Sequence, residues 1–254
     1  MFSYAELMEL DGLCKEDNRF EKYVERLREE NNQLLSKVTH EIGNPLTIIY
    51  STIQLMESKN PLLKEQPYWN QLNKDVKDLS LLLHDYSDYN SCDSLNLEKE
   101  NLFDILQTVS RSFEPVFIHN KIDWSFQVSR NMIPLMSSYV CDIVKIKQVF
   151  VNIIKNGVEA LEENQRLWIQ VPDLGEQIEG VTQGSEHLIL RFGNNGLPIA
   201  SNELNGMFLP RASNKVGGSG IGLSISRRII EAHGGKIFVN SDQNETVFTI
   251  CLPL

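Results

Sequence analysis

The sequence lacks clustered basic residues, paired cysteines and any long apolar run. It has 24 Lys and Arg against 34 Asp and Glu in 254 residues, a net charge of -10. This charge argues against a surface for nucleic-acid phosphates, although a local site for a small polyanion stays open. Its four cysteines lie far apart without CxxC spacing, which favours neither a zinc site nor a disulfide framework. No stretch approaches the roughly 18 apolar residues of a membrane span, and the N-terminus does not resemble a signal peptide. We therefore expect a soluble cytoplasmic protein with no nucleic-acid partner and no membrane insertion.

An apolar stripe predicts a long helix from residue 20 to about 57. Its members recur at three- and four-residue steps: Val24, Leu27, Leu34, Val38, Ile42, Pro45, Ile49, Ile53 and Met56. After an interruption at two prolines the stripe resumes, which predicts a helical hairpin: Trp69, Leu72, Val76, Leu79, Leu83 and Tyr86. Because one hairpin cannot bury both stripes, we expect a homodimer whose two chains form a four-helix bundle.

The helical spacing of apolar residues ends near residue 93, where the composition becomes polar. Beyond this point both strands and helices are predicted. Strands are predicted at five stretches, "KIDWSFQV", "RLWIQV", "EHLILRF", "KIFVNS" and "TVFTICLPL", with helices over 101–117, 142–162 and 219–234. This predicts an α+β two-layer sandwich of one sheet and its covering helices. The predicted domains are a short segment over 1–19, too short for a sensor domain, a hairpin over 20–92 and the sandwich over 93–254.

The stretch "VTHEIGNPL" places His40 on the first helix beside Glu41. At 3.6 residues per turn, His40 lies about 200° from the stripe and faces solvent, and Asn44 shares its face. Pro45 removes a backbone hydrogen bond to the carbonyl of Glu41 and predicts a bend there. Such a histidine is most often an ordinary surface residue, and a metal site is not favoured because the partner four residues on is Asn.

"HEIGNPL" resembles the phosphoacceptor box of the sensor histidine kinases of two-component systems. The resemblance implies that His40 carries a phosphoryl group and that Glu41 acts as general base on the other ring nitrogen. It also implies that Asn44 positions the water that hydrolyses the aspartyl phosphate of a response regulator. A bend at Pro45 would let the bundle move between these two reactions.

The helix "DIVKIKQVFVNIIKNGVEAL" resembles the N box of the same family. Asn152 and Asn156 lie four residues apart and share a face. The resemblance implies that Asn156 gives an oxygen to Mg²⁺, a cation that prefers oxygen ligands, and that Asn152 lies beside the phosphates of ATP. Lys155 would add positive charge there.

"LRFGNNGLPIA" resembles the first glycine box, whose usual form is Asp-x-Gly-x-Gly. Asn194, Gly196 and Pro198 occupy the three defining positions, so the aspartate and one glycine are replaced. In the family that aspartate accepts a hydrogen bond from the adenine amino group. A neutral amide there predicts a loss of roughly 1 kcal/mol, or about fivefold in ATP affinity.

"GGSGIGLSISRRIIEAHGG" resembles the second glycine box, which runs directly into a helix. Bare amides at a helix N-terminus suit a polyphosphate, and the implied ATP-binding residues of this stretch and the preceding lid are Lys215, Gly218, Gly220, Ile221, Gly222 and Leu223. Together the motifs resemble those of the GHKL (Bergerat) ATPases, and this resemblance implies that fold and the binding of ATP and Mg²⁺.

The sequence therefore resembles a soluble ATP-dependent protein-histidine kinase that phosphorylates His40, passes the phosphoryl group to a response regulator, and also has phosphatase activity. Three alternatives stay open. They are an ATP-independent phosphotransferase, a pseudokinase that acts as a scaffold or phosphatase, and a GHKL ATPase clamp without a phosphoacceptor. The intact second glycine box disfavours a phosphotransferase that does not use ATP. The changes at Asn194 and Pro198 are compatible with a pseudokinase, and the "HEIGNPL" motif disfavours an ATPase clamp without a phosphoacceptor.

Overall fold

The computed structural model of the chain describes residues 18–92, 94–175, 187–204, 206–210 and 220–254. The predicted nucleotide ligands Lys215 and Gly218 lie outside these residues. The chain divides into two compact units, with the division between Ser91 and Cys92. Among the described residues, no helix combines the length and the apolar character needed to cross a membrane.

The first unit is a helical hairpin, as predicted. It consists of α1 (Asn18–Lys59), a short 3-10 helix (Pro61–Glu65) and α2 (Pro67–Ser91). Pro45 lies inside α1, and the helix continues through it. The 3-10 helix begins at Pro61, where the fixed φ of proline suits a first helical position.

The apolar residues of α1 form two seams rather than one. Leu46 and Ile53 are buried, as is Val76 of α2, so these side chains make the inner seam of the hairpin. Most of the predicted stripe lies outward, with exposures between 41% and 60%: Leu34, Val38, Ile42, Ile49 and Met56. The sequence pattern identified the apolar positions of α1 but omitted Leu46 and did not separate the seams.

Glu57 fixes the closed end of the hairpin. Its Oε1 accepts hydrogen bonds from Trp69 Nε1 at 2.9 Å and from Asn73 Nδ2 at 3.0 Å. Both donors lie in the first turns of α2, so one carboxylate joins the two helices across the turn. Hydrogen bonds to a charged acceptor contribute more than neutral ones, which makes this contact a strong local restraint.

The second unit is an α+β sandwich, as predicted. Its strands are β1 (Glu98–Glu100), β2 (Asp123–Val128), β3 (Tyr139–Cys141), β4 (Arg166–Val171), β5 (His187–Asn194), β6 (Lys236–Ser241) and β7 (Thr246–Pro253). Its helices within the described residues are α3 (Leu102–Ser112), α4 (Glu114–His119), α5 (Ile133–Met136), α6 (Ile143–Glu159), α7 (Ser201–Leu204) and α8 (Gly222–Ala232). The main sheet has the order β2-β4-β5-β7-β6, parallel only between β2 and β4, and β1 pairs with β3 in a separate ribbon.

Alternating residues of the sheet face α6 and α8, which contact β5 and β6 respectively. Phe150 of α6 packs against Phe192 of β5 with ring centroids 5.7 Å apart. The helix predicted over 101–117 is instead two helices, because Pro115 lacks an amide hydrogen and begins a new helix. The strands β1 and β3 were not predicted, because three residues are too few for a recognisable alternation of apolar and polar side chains.

Trp168 of β4 lies directly opposite Gly193 of β5. A Cβ at Gly193 would come within 2.1 Å of the indole ring, far inside van der Waals contact. We expect Gly193→Ala to lower the free energy of unfolding by about 2 kcal/mol, as overpacking does. Chemical denaturation of the full chain, followed by circular dichroism, measures this loss.

The matched control is the same substitution in a Trp168→Ala background. There the added methyl group has no indole to displace, so Gly193→Ala should cost much less than in the native background. Equal costs in both backgrounds would show that the indole does not constrain position 193.

Candidate functional site

The exposed face of α1 carries the three residues that the phosphoacceptor motif singles out. His40, Glu41 and Asn44 are all exposed, and His40 and Asn44 lie one helical turn apart. Glu41 Oε1 lies 4.0 Å from the ammonium of Lys37, an exposed pair that contributes little. The imidazole of His40 is therefore accessible to a reaction partner, with a carboxylate next to it in the sequence.

A shallow groove follows on α1, C-terminal to Pro45. It is lined by Thr47, Ile48, Ser51, Thr52 and Leu55. Ile48 and Leu55, two turns apart, are 67% and 54% exposed. Exposed apolar side chains between hydroxyl groups suit a protein partner better than bulk water.

Two asparagines of α6 differ in what they bind. Asn152 Nδ2 donates to the carbonyl oxygen of Gly222 at 3.2 Å and approaches Ser226 Oγ at 3.5 Å, so this side chain ties α6 to the start of α8. Asn156 is half-buried, and its carboxamide has no hydrogen-bond partner among the described residues. Lys155 points an exposed ammonium toward Glu159 Oε1 at 3.9 Å. The carboxamide of Asn156 is thus unpaired among the described residues, whereas that of Asn152 is not.

Gly220 turns the chain into α8 with a left-handed φ of 66°. Ile221 is buried and caps the helix, Gly222 is its first residue and Leu223 is half-buried. A Cβ at Gly222 would make ordinary contact, 3.5 Å from the side chain of Asn152. The first amides of α8 lack intrahelical partners, and a bare backbone there leaves room for an anionic ligand.

Asn194 ends β5, and the turn after it is held against the C-terminal end of α6. Asn194 Oδ1 accepts the amide hydrogen of Gly196 at 3.1 Å, and the amide of Leu197 donates to the carbonyl of Ala160 at 3.2 Å. A Cβ at Gly196 would lie 2.1 Å from that carbonyl oxygen, so only glycine fits. Pro198 follows on the exposed surface.

The structure brings the first glycine box and the described part of the second glycine box to α6, the helix that carries the N box. Gly157 of that helix faces Asn194, whose Nδ2 would lie 3.8 Å from a Cβ at position 157. The α8 start reaches the same helix through Asn152. A glycine inside a helix is a signal for such a close approach, yet the sequence pattern alone did not single out Gly157. The unpaired carboxamide of Asn156 and the first backbone amides of α8 are the kinds of group that bind cations and phosphates.

His233, to which the sequence assigned no chemistry, joins α8 to the start of α6. Its Nε2 accepts the amide hydrogen of Asp142 at 3.0 Å, so the proton lies on Nδ1, which donates to the carbonyl of Ile229 at 2.7 Å. Asp142 caps α6 through the amide of Lys145. Burial lowers the pKa of His233, although the neighbouring Asp142 opposes this effect.

A His233→Gln variant should lose part of the acid sensitivity of the fold. Glutamine can accept from Asp142 and donate to Ile229 without titrating. Because the pKa of His233 is lower in the folded than in the unfolded chain, its contribution is complete above about pH 6.5 and declines as the pH falls through the folded pKa. Denaturation midpoints from pH 8 to pH 5 should thus fall more steeply for the native chain than for the variant, whereas parallel profiles would contradict the assignment.

Comparison with known proteins matches two family models. The model described as "His Kinase A (phospho-acceptor) domain" matches residues 30–94, and "Histidine kinase-, DNA gyrase B-, and HSP90-like ATPase" matches residues 141–254. The first includes the His40 face of α1, and the second includes α6, the Asn194 turn and α8.

Three individual proteins illustrate the similarity. Sporulation kinase D of Bacillus subtilis is 28% identical over 87% of this chain and 41% of its own length. The catalytic domain of histidine kinase ThkA is 30% identical with a TM-score of 0.53, covering 62% of this chain and 95% of that one. ThkA in complex with the response regulator protein TrrA is 24% identical with a TM-score of 0.59, over 92% of this chain and 66% of that one. The chain spans less than half the length of the curated relatives it matches first.

Proposed function

This chain belongs to the sensor histidine kinases of two-component systems, and we propose that it is an ATP-dependent protein-histidine kinase acting on His40. One observation carries the proposal. An accessible histidine with a carboxylate next to it in the sequence lies in a hairpin that matches the phosphoacceptor model, on the same chain as a unit that matches the ATPase model.

His40 is the proposed nucleophile. A neutral imidazole would attack the γ-phosphoryl group in line while the bond to the β-phosphate oxygen breaks and ADP leaves. Glu41 would accept or hold the proton of the other ring nitrogen, which raises the nucleophilicity of the attacking one. Both side chains are exposed on α1, so neither needs to leave a buried position to meet the phosphoryl group. Positioning and charge neutralisation supply most of the catalysis in such transfers.

The residues around α6 are proposed to hold Mg²⁺-ATP, which supplies the phosphoryl group when bound. Asn156 would give its free amide oxygen to the cation, while Asn152, Gly220, Ile221, Gly222 and Leu223 would surround the phosphates. Among the described residues there is no cluster of three or more His, Cys, Asp or Glu that could bind a metal ion. The cation would therefore be shared with phosphate oxygens and water, which is usual for Mg²⁺.

Asn194, Gly196 and Pro198 are proposed to line the base end of the site. Lys155 stays a predicted source of positive charge at its phosphate end, and Lys215 and Gly218 stay predictions outside the described residues. The proposed domains remain a segment over 1–19, the hairpin over 20–92 and the catalytic domain over 93–254.

A response regulator is the proposed acceptor of the phosphoryl group. The groove from Thr47 to Leu55 supports this, because its exposed apolar side chains begin at Ile48, about two turns beyond His40 on the same helix. The complex of ThkA with TrrA is one such pairing in a protein of similar fold. Asn44, one turn from His40, would position the water that hydrolyses the aspartyl phosphate of the regulator in the phosphatase reaction.

A homodimer is proposed for the hairpin. Its support is the outward seam of α1 together with exposed apolar residues on α2 at seven-residue spacing: Leu72, Leu79 and Tyr86. Five large apolar side chains of the α1 seam, exposed in a single chain, gain free energy when a second hairpin covers them.

Incubation of the purified chain with Mg²⁺ and γ-labelled ATP tests the proposed function. We expect label on the protein that is stable in alkali and lost in acid, as a phosphoramidate is. If no label appears although nucleotide binds, the alternative of a scaffold or dedicated phosphatase replaces the kinase.

A further inference from the structure

Asn194 is buried, and only one of the two polar atoms of its carboxamide makes a hydrogen bond to a described residue. The residue is 3% exposed, and Oδ1 accepts the amide hydrogen of Gly196 at 3.1 Å. That contact determines the orientation of the amide, because a flipped group would set two donors against each other. Nδ2 is left without an acceptor among the described residues.

The free Nδ2 lies beside α6. A Cβ at Gly157 would be 3.8 Å from it, and Gly157 directly follows Asn156. Among the buried side-chain nitrogen and oxygen atoms that the structure describes, only Asn73 Oδ1 is both enclosed and unpaired. Nδ2 is not one of these enclosed unpaired atoms, so a ligand bound along α6 can reach it.

At this position the free atom of the asparagine side chain is a hydrogen-bond donor, whereas the free atom of a carboxylate would be an acceptor. An aspartate here would use one oxygen for the amide of Gly196 and offer the second as an acceptor, whereas asparagine offers a donor. The 6-amino group of adenine is itself a donor, so the two would oppose each other. The 6-oxo group of guanine or hypoxanthine is an acceptor and would pair with Nδ2.

We propose that Asn194 shifts the base preference of this nucleotide site from adenine to 6-oxopurines, so that ITP and GTP bind more tightly than ATP. The inference rests on the proposed function, since it takes the residues around α6 to be the nucleotide site. Discrimination arises because a buried polar group left unpaired is costly, while a paired one is not.

Titration calorimetry with Mg²⁺-ATP and Mg²⁺-ITP tests the inference on the full chain. ITP is the matched probe, because its base differs from adenine only at position 6 and in the proton that this change places on N1. The comparison variant is Asn194→Asp, which keeps the shape of the side chain. We expect the native chain to bind ITP more tightly than ATP. In Asn194→Asp, the dissociation constant of ATP divided by that of ITP should fall by about tenfold or more, which means a shift in preference toward ATP.

Tighter binding of ATP than of ITP by the native chain would overturn the inference and leave the proposed function standing. That comparison needs no variant, so it remains decisive if Asn194→Asp folds poorly. Absence of binding of either nucleotide, by both proteins, would instead overturn nucleotide binding itself and the inference with it. GTP repeats the test with a second 6-oxopurine.

Discussion

A His40→Gln variant should lose labelling from γ-labelled ATP to background, a fall of at least about 10³-fold. Glutamine has no nucleophilic nitrogen, and position 40 is exposed on α1, so the substitution removes the chemistry without disturbing the inner seam of the hairpin. The loss should appear in the acid-labile label, while nucleotide binding by the second unit stays at the native level.

His84→Gln is the matched control. His84 is a second exposed histidine of the hairpin, 72% exposed on α2 and paired with Asp88 at 3.3 Å. A nonspecific effect of losing a surface histidine would appear equally in both variants. Retention of label in His40→Gln, or its loss in His84→Gln, would assign the phosphoacceptor to a different residue.

Asn156→Ala should lower the rate of labelling by about a hundredfold, the scale expected when one preorganised polar group at a charged reacting centre is removed. The carboxamide of Asn156 has no partner among the described residues, so its removal leaves no buried group unsatisfied. The folded state should thus survive, as circular dichroism can verify. Asn156→Asp, which keeps an oxygen ligand for Mg²⁺, should recover part of the rate.

Lys147→Ala provides the control on the same helix, because Lys147 is exposed and has no proposed role. Its rate should stay within about twofold of native, as surface substitutions usually do. If Asn156→Ala were equally mild at saturating Mg²⁺, the cation would have to be held elsewhere.

The hairpin and the sandwich could both be predicted from periodicity, but the division of α1 into two seams could not. Leu46 and Ile53 face α2, whereas Ile42 and Ile49 face outward. All four recur at helical spacing. An apolar stripe in the sequence does not indicate which of its residues contact α2 of the same chain and which lie on the outer face of the hairpin. That distinction depends on the rotation of α1 against α2, which side-chain packing sets.

The residues of the candidate site that lie in short motifs could be predicted from the sequence. The contacts between residues far apart in the sequence could not. Asn152 and Asn156 follow from the spacing on one helix. The contact of Asn194 with Gly157, and the bond from Asp142 to His233, join residues 37 and 91 positions apart. No local pattern relates such pairs, and the orientation of the Asn194 amide becomes defined only through the amide of Gly196.

The central claim, that His40 is the phosphoacceptor, is tested most directly by locating the phosphoryl group. The chain is incubated with Mg²⁺ and ATP, and in parallel with ITP, then digested at alkaline pH and sequenced by mass spectrometry. We expect one phosphohistidine, at His40, in the peptide that contains "HEIGNPL". A phosphoryl group on any other residue, or an unmodified His40 peptide from a chain with bound nucleotide, would contradict it.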